Sequence, residues 1–243
     1  MFVVSYTRAN EEKGGIMTLE LFSTSSFLRG TQCEKSLFLN VYYPELRDKV
    51  AESSVPKKQR RVTIAKLTRH LFPEGVFAGI DVTGSCEDSY ELTRKHLQDG
   101  VTTIFNACFK HEDIFCLVDV LNRENGYWKA YGIWDFNDPD DHVILTGAMQ
   151  YFIIKRCGVR VDDYLSVIYK THLDSEKKVH MDYDIKSVRE RIVFLQDQIE
   201  EKLSNYKKVL KKKKIPSIPV GEHCRFPKIC DYFEYCRFST NRR

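Results

Sequence analysis

The sequence predicts a mixed α/β fold built on a three-stranded antiparallel meander, a following helix and a further strand. The segments VTTIFNACF, DIFCLVDVL and YWKAYGIWDF are rich in β-branched and aromatic residues, which favour strands. The polar links between them, KHE and NRENG, are short enough for hairpins. The next segment, VILTGAMQYFIIKRCG, is apolar on nearly every side, as expected of a buried helix that packs on the sheet.

Helices are predicted before the meander. Residues 1–16 show no useful periodicity, so we interpret them as an N-terminal extension without regular structure and 17–243 as a single domain. Ser25 and Ser26 can cap a first helix that runs to Phe38, with Gly30 as a local interruption. A second helix, VTIAKLTRHLF, should stop at Pro73 and Gly75. A third helix is predicted from Glu87 to Gln98.

After the meander and its helix, the pattern predicts a strand and then a helix. The segment YLSVIYKT alternates in the manner of a fourth strand. A long amphipathic helix is predicted from about Asp184 to the lysine cluster near residue 211. The chain is expected to end in a short tail that is rich in cysteine and proline.

Composition and charge limit the classes of protein to which this sequence can belong. In 243 residues, 42% are hydrophobic and no apolar run is long enough to span a bilayer. The first residues lack the apolar stretch of a signal peptide, so we expect a cytoplasmic protein. The net charge of +4 is too small to indicate a partner. Two local runs, KKQRR at 57–61 and KKVLKKKK at 207–214, either neutralise phosphates or lie solvated at the surface.

The eight cysteines divide into two groups. Three of them, Cys224, Cys230 and Cys236, lie in the tail with five residues between successive members. That tail has too few apolar residues to order itself, so a metal or cluster would staple it. The spacing is wide for zinc and suits an iron–sulfur cluster better, although zinc or free thiols stay open. Core positions are expected for the other group: Cys86, Cys108, Cys116 and Cys157.

A fourth ligand for the metal or cluster would have to be a residue other than these three tail cysteines. Cys33 is the best candidate, because it lies on the first predicted helix among polar neighbours. His223, which precedes Cys224, is the local rival. If Cys33 is the ligand, the metal group ties the first helix to the C-terminal tail.

The ordered series of motifs resembles a known family. These motifs are FLRGTQCEKSLFLNVYYPEL, LTRHLFPEGV, IFNACF, LVDVL, GYWKAYGIW, GAMQYFI and GEHCRFPKICDYFEYC. They are similar to an uncharacterised bacterial family in the RecB-like, iron–sulfur branch of the PD-(D/E)XK nuclease superfamily. That branch includes the CRISPR-associated Cas-type exonuclease and the AddB nuclease domain. The resemblance implies a restriction-endonuclease-like core with flanking helices and a 4Fe-4S cluster held by Cys33, Cys224, Cys230 and Cys236.

The resemblance also implies an active site, and this chain departs from it. Asp119 matches the metal-binding carboxylate of the second meander strand, and Gln150 matches a glutamine of the following helix. Gly132 and Trp134 stand where the family has the glutamate and lysine of its third strand, and neither can bind a metal ion or activate water. Further acids of the family are replaced by Lys66 and Asn106. The acids near the third strand, which could rescue the site, are Asp135, Asp138, Asp140 and Asp141.

Three functions follow as hypotheses. The first is a catalytically inactive, nuclease-like iron–sulfur protein that binds DNA, including single strands, in DNA processing or defence. The second is an active DNA exonuclease with a rearranged site, which would need Mg²⁺ or Mn²⁺ held in part by Asp119. The third is a regulatory subunit that binds another protein. None of the three requires a membrane.

Overall fold

The computed structural model describes residues 22–48, 69, 71–79, 85–134, 141–173 and 179–240. The predicted N-terminal extension, the basic run at 57–61 and most of the predicted helix at 62–72 lie outside the described residues. Within the described ranges, no helix is long and apolar enough to cross a membrane.

One mixed sheet organises the described part of the chain. Its main path runs in the order β2–β3–β4–β5–β6–β7, and β1 pairs in parallel with the start of β4. The strands are β1 (Phe22–Ser23), β2 (Val76–Phe77), β3 (Thr103–His111), β4 (Ile114–Glu124), β5 (Tyr127–Trp134), β6 (Val161–Leu173) and β7 (Val179–Ser187).

Helices flank this sheet. The longest are α4 and α6, and two further short 3-10 turns cover residues 44–46 and 222–224. The α-helices within the described ranges are α1 (Thr24–Gln32), α2 (Glu34–Tyr42), α3 (Cys86–Gln98), α4 (Asp141–Arg156), α5 (Arg189–Phe194), α6 (Gln196–Lys211) and α7 (Phe233–Thr240).

The predicted core is confirmed. Strands β3, β4 and β5 pair antiparallel as a meander, and β6 returns parallel to β5 after the crossover through α4. Helix α4 buries residues on every side, among them Val143, Ala148, Met149 and Ile153. It can do so because it lies between the sheet and helices α1, α5 and α6. The main hydrophobic core therefore lies on the α4 face of the sheet.

The first predicted helix is two helices, and its break lies at Cys33 instead of Gly30. Ser23 caps α1 by accepting a hydrogen bond from the Ser26 backbone N–H at 3.3 Å. Cys33 has an extended backbone, with φ of −165°, between α1 and α2. Gly30 lies within α1 and packs against the Tyr206 ring of α6, where an added Cβ would lie 2.9 Å from a ring carbon.

The predicted helix from Asp184 is wrong over its first residues. Residues 179–187 form β7, which pairs antiparallel with β6 in the register Ile185 opposite Val167 and Tyr183 opposite Tyr169. The helical part begins only at Arg189, and it is divided at Leu195 into α5 and α6. Pairing with β6 supplies the backbone hydrogen bonds that a local helix would otherwise supply.

Candidate functional site

The Asp119 carboxylate lies where two strands separate. Strand β4 pairs with β1 at Ile114 and Phe115, and pairing with β5 begins at Val120. In the gap, Asp119 Oδ2 accepts a hydrogen bond from the Ile133 backbone N–H at 2.7 Å. Burial raises the pKa of Asp119, and the bond from Ile133 partly opposes this rise. The carboxylate thus replaces a ladder bond of the sheet.

Gln150 fills the same gap from helix α4. Its Nε2 donates to the Leu117 carbonyl at 2.5 Å, and its Oε1 accepts from the Tyr164 hydroxyl. Tyr164, on β6, is fully buried, and burial raises the pKa of its hydroxyl well above the usual value. The hydroxyl therefore stays protonated and able to donate. The amide of Gln150 is satisfied at both ends, as expected of a structural residue.

The space beside Gly132 is filled by neighbouring side chains. An added Cβ on Gly132 would lie 2.8 Å from Trp134 Nε1 and 2.9 Å from the Tyr164 hydroxyl oxygen. Trp134 is only 7% exposed, and its ring lies edge-on to His142 at 6.4 Å. Its Nε1 has no hydrogen-bond partner among the described residues. Tryptophan and tyrosine together occupy the space that a glutamate side chain would need.

Within the described residues, none of the other acids near the third meander strand lies beside Asp119. Asp135, Asp138 and Asp140, together with Lys66, lie outside the described ranges. Asp141 begins α4 with its side chain 98% exposed, and it pairs with Arg191 at 3.6 Å. Asn106 lies in β3 with φ of +53° and provides an amide instead of a carboxylate. Of the residues predicted for the catalytic position, the structure brings together Asp119 and Gln150.

Tyr164 also belongs to this site, although no sequence pattern singles it out. Tyr164 approaches both Gln150 and Gly132 from β6. The only local signal was an aromatic residue at the start of YLSVIYKT, which any buried strand could carry.

Replacing Asp119 with asparagine is expected to flatten the pH dependence of stability. Because burial raises the pKa of Asp119, its contribution is fully present below the unfolded-state pKa of about 3.9 and is lost as pH rises through the folded-state pKa. Asparagine does not titrate and can still accept from Ile133. The unfolding free energy of the native protein should fall relative to the variant as the pH rises above about 4, as measured by urea titration. A constant difference would contradict the prediction.

The four predicted cysteine ligands line one small cavity. Cys33 enters it from the α1–α2 junction, Cys224 from a 3-10 turn, Cys230 from the following loop and Cys236 from α7. His223 also lines the cavity, and its Nε2 lies 3.4 Å from Cys224 Sγ. The cavity volume is about 10 Å³, room for about one water-sized atom.

Contacts between α1, α2 and the tail hold this arrangement. Gln32 Nε2 donates to the carbonyls of His223, Phe226 and Lys228 at 2.9, 3.3 and 2.6 Å. Arg29 forms an ion pair with Asp231 at 2.5 Å. Gln32 is a second residue that the sequence analysis missed, although it directly precedes Cys33. These contacts join helix α1 to the tail independently of the thiols.

The thiols of the cavity influence one another. Burial raises the pKa of Cys33, and Cys230 and Cys224 raise it further. Burial also raises the pKa of Cys236, while Lys35 opposes this. A cation between the sulfurs would reverse this balance by favouring thiolates. Within the described part of the chain, no three His, Cys, Asp or Glu side chains are grouped as a site for a single metal ion.

The remaining cysteines largely follow prediction. Cys86, Cys108 and Cys116 are buried in the core. Cys157 is half-buried instead, and its Sγ donates to the Lys110 carbonyl at 3.1 Å. None of these four lines the cavity of Cys33.

The lysines of the second basic run are exposed, except for the first, Lys207. Lys207 forms ion pairs with Glu112 and Asp113, each at 2.6 Å, and so fastens α6 to the β3–β4 turn. Lys208 and Lys211–Lys214 are exposed and make no ion pair with a described residue. These five lysines, which we call the α6 lysine cluster, are available to a partner.

Comparisons with known proteins give structural neighbours only. No family model matches the sequence, and no curated protein is similar to it. Two crystal structures of an alkaline exonuclease (LHK-Exo) from Laribacter hongkongensis, one in complex with dAMP, are similar at 11% and 12% identity. Each has a TM-score of 0.41 and covers 80% of this chain and 91% of its own. The function is therefore inferred from the residues of this chain.

Proposed function

We propose that this chain is a nuclease-like iron–sulfur protein that binds DNA without cleaving it. The observation that carries the proposal is the filled site at Gly132, where Trp134 and Tyr164 leave no room for a catalytic side chain. The meander, helix and parallel strand of a nuclease-type core are present around that site. The sheet and helix of the core are present, but the space that a catalytic side chain would need is occupied.

The residues at this site are poorly suited to metal-ion catalysis. Mg²⁺ binds several oxygen ligands in octahedral geometry, and protein sites usually provide at least one well-exposed carboxylate. One oxygen of Asp119 is already committed to Ile133, and Gln150 is committed to Leu117 and Tyr164. Asp119 therefore acts in this proposal as a sheet residue.

A cleavage assay tests this inactivity. Purified protein is expected to leave end-labelled single- and double-stranded DNA intact in Mg²⁺ and in Mn²⁺, because the catalytic pair is absent. The matched control is Asp119→Ala, which should give the same background. Cleavage that disappears in Asp119→Ala would show that acids outside the described residues rebuild the site, and the proposal would be wrong.

The cysteine cavity is proposed to hold a 4Fe-4S cluster through Cys33, Cys224, Cys230 and Cys236. Support comes from four thiols of distant sequence position that line one cavity, the donor set that such a cluster uses. A cluster binds its ligands at separate iron atoms, whereas a single zinc ion needs all four sulfurs at one point. The cavity has a volume of about 10 Å³, so it would have to widen to accept a cluster. When bound, the cluster would supply a covalent staple between α1 and the tail.

DNA is proposed to contact the α6 lysine cluster. Its five ammonium groups are exposed and close in sequence, and phosphate contacts require little more than positioned cations. Neutralised phosphates release counterions, so such binding weakens steeply as salt rises.

The double substitution Lys212→Gln/Lys213→Gln is expected to weaken DNA binding and to lower its salt dependence. Loss of two phosphate contacts should reduce the slope of log affinity against log salt by about 1 to 2. Fluorescence anisotropy with a labelled single strand measures this slope. Lys186→Gln/Arg189→Gln, which removes two exposed cations near β7, is the control and should keep the native slope. If Lys212→Gln/Lys213→Gln keeps the same salt slope as the control variant, the α6 lysine cluster is excluded as the DNA contact.

A protein partner is the second candidate, favoured by exposed apolar side chains. Phe194 at the end of α5 is 80% exposed, and Phe226 and Ile229 in the tail are 72% and 71% exposed. Binding to such a partner would change little with salt, which separates it from DNA binding.

A further inference from the structure

A groove lies at the turn end of the β4–β5 hairpin, away from both sites described above. Its walls come from the end of α3 at Leu97, from the hairpin residues Arg123, Tyr127 and Trp128, and from Arg160 before β6. The groove has a volume of about 430 Å³, within the usual range for small-ligand sites.

Two arginines in this groove are held against aromatic rings. The guanidinium carbon of Arg123 lies 5.8 Å from the centre of the Trp128 ring, and that of Arg160 lies 5.8 Å from the centre of the Tyr127 ring. Arg123 also donates from Nε to the Gly126 carbonyl at 3.4 Å. Tyr127 remains 52% exposed, so much of its surface is open to a ligand. Each arginine is thus partly oriented while its remaining N–H donors stay available.

The charge balance of the groove favours an anion. Arg123 makes no ion pair with a described residue, because the neighbouring Glu124 is engaged by Lys129 at 2.6 Å and Asn122 at 2.8 Å. Arg160 pairs with Asp162 at 3.1 Å, but its side chain is 82% exposed, where such a pair contributes little. A phosphate could displace that contact at small cost.

The groove is separate from the Asp119 position. Arg123 follows Asp119 by four residues on β4, a separation of roughly 13 Å along an extended strand. It is also built from elements other than those that carry the cysteine cavity.

We propose that this groove binds a nucleotide unit. An aromatic base stacks on the exposed ring of Tyr127, in the groove that Trp128 also lines, and the phosphate is held by Arg123 and Arg160. The same chemistry occurs in a free nucleotide and in one unit of a single strand. The inference rests on the groove alone and does not depend on the α6 lysine cluster.

Tryptophan fluorescence gives a direct test, because the chain has two tryptophans and Trp134 is buried at a distance from the groove. Titration with thymidine monophosphate and with a short oligothymidylate, separately, is expected to quench Trp128. The quenching should be absent in Trp128→Phe. Arg123→Gln and Arg160→Gln should each weaken binding roughly tenfold, the loss expected for one charge-assisted hydrogen bond. Arg94→Gln, exposed on α3 and paired with Glu91, is the control and should bind normally.

Each outcome has a defined meaning. Quenching by the mononucleotide supports a free-nucleotide site, and quenching by the oligomer alone supports a single-strand site. If neither ligand quenches, if Trp128→Phe still responds, or if the arginine variants bind normally, the proposal is overturned. Loss of DNA binding in Lys212→Gln/Lys213→Gln with the mononucleotide response unchanged would separate this groove from the α6 lysine cluster.

Discussion

Cys33→Ser protein is expected to lose nearly all of its iron and inorganic sulfide, whereas anaerobically purified native protein should carry about four irons per chain. The thiolate is the ligand form of cysteine, and a serine hydroxyl does not replace it under ordinary conditions. Cys33 is one of the four thiols that line the cavity and the only one from the α1–α2 junction. Its loss should leave a cluster with three ligands, exposed and labile. Iron and sulfide analysis of the two proteins measures the effect.

The same substitution should also lower the unfolding free energy. A link from residue 33 to residues 224–236 closes a loop of most of the chain, and cross-links of that length stabilise by about 5 kcal/mol in the chain-entropy description. Contacts from Gln32 and Arg29 should keep the tail folded in part. Urea unfolding under anaerobic conditions gives this difference.

Two controls make the cysteine experiment decisive. Cys157→Ser changes a half-buried thiol outside the cavity and should keep its iron. His223→Ala tests the rival ligand, since His223 also lines the cavity. If Cys33→Ser keeps its iron and His223→Ala loses it, the fourth ligand is His223 and not Cys33. Native protein with one zinc and no iron would contradict the cluster.

Gly132→Ala is expected to destabilise the protein by about 1 to 3 kcal/mol, the usual cost of adding a methyl group to a tightly packed site. The added Cβ would lie 2.8 Å from Trp134 Nε1 and 2.9 Å from the Tyr164 hydroxyl oxygen. Tyr164 is fully buried and bonded to Gln150, so it has little freedom to move. Gly132→Glu should be worse still, because it adds a buried charge to the same overlap.

The control for this prediction is Gly79→Ala. An added Cβ at Gly79 would lie 3.7 Å from its nearest neighbour, an ordinary van der Waals distance. Urea unfolding should therefore show a small change for Gly79→Ala and a large one for Gly132→Ala. If both changes are small, the space around Gly132 opens readily, and Trp134 and Tyr164 do not block a side chain there.

Local pattern predicted the central elements well. The meander strands and helix α4 carry strong periodicity or continuous burial in their own residues, and the structure places them as predicted. The end of strand β7, from Asp184, was predicted as helix because these residues run directly into a helical segment. Its extended form depends on hydrogen bonds to β6, which no local pattern contains.

By itself, the sequence determined the residue types: Asp119 and Gln150, which match nuclease positions by resemblance, Gly132 and Trp134 on the third meander strand, and cysteines at both ends of the domain. Only the tertiary structure decided what surrounds them. It brought Tyr164 and Trp134 against Gly132, engaged Asp119 with the backbone of β5, and set Cys33 beside the tail thiols. The physical reason is that these contacts join residues far apart in the chain, and their geometry depends on how the sheet and helices pack.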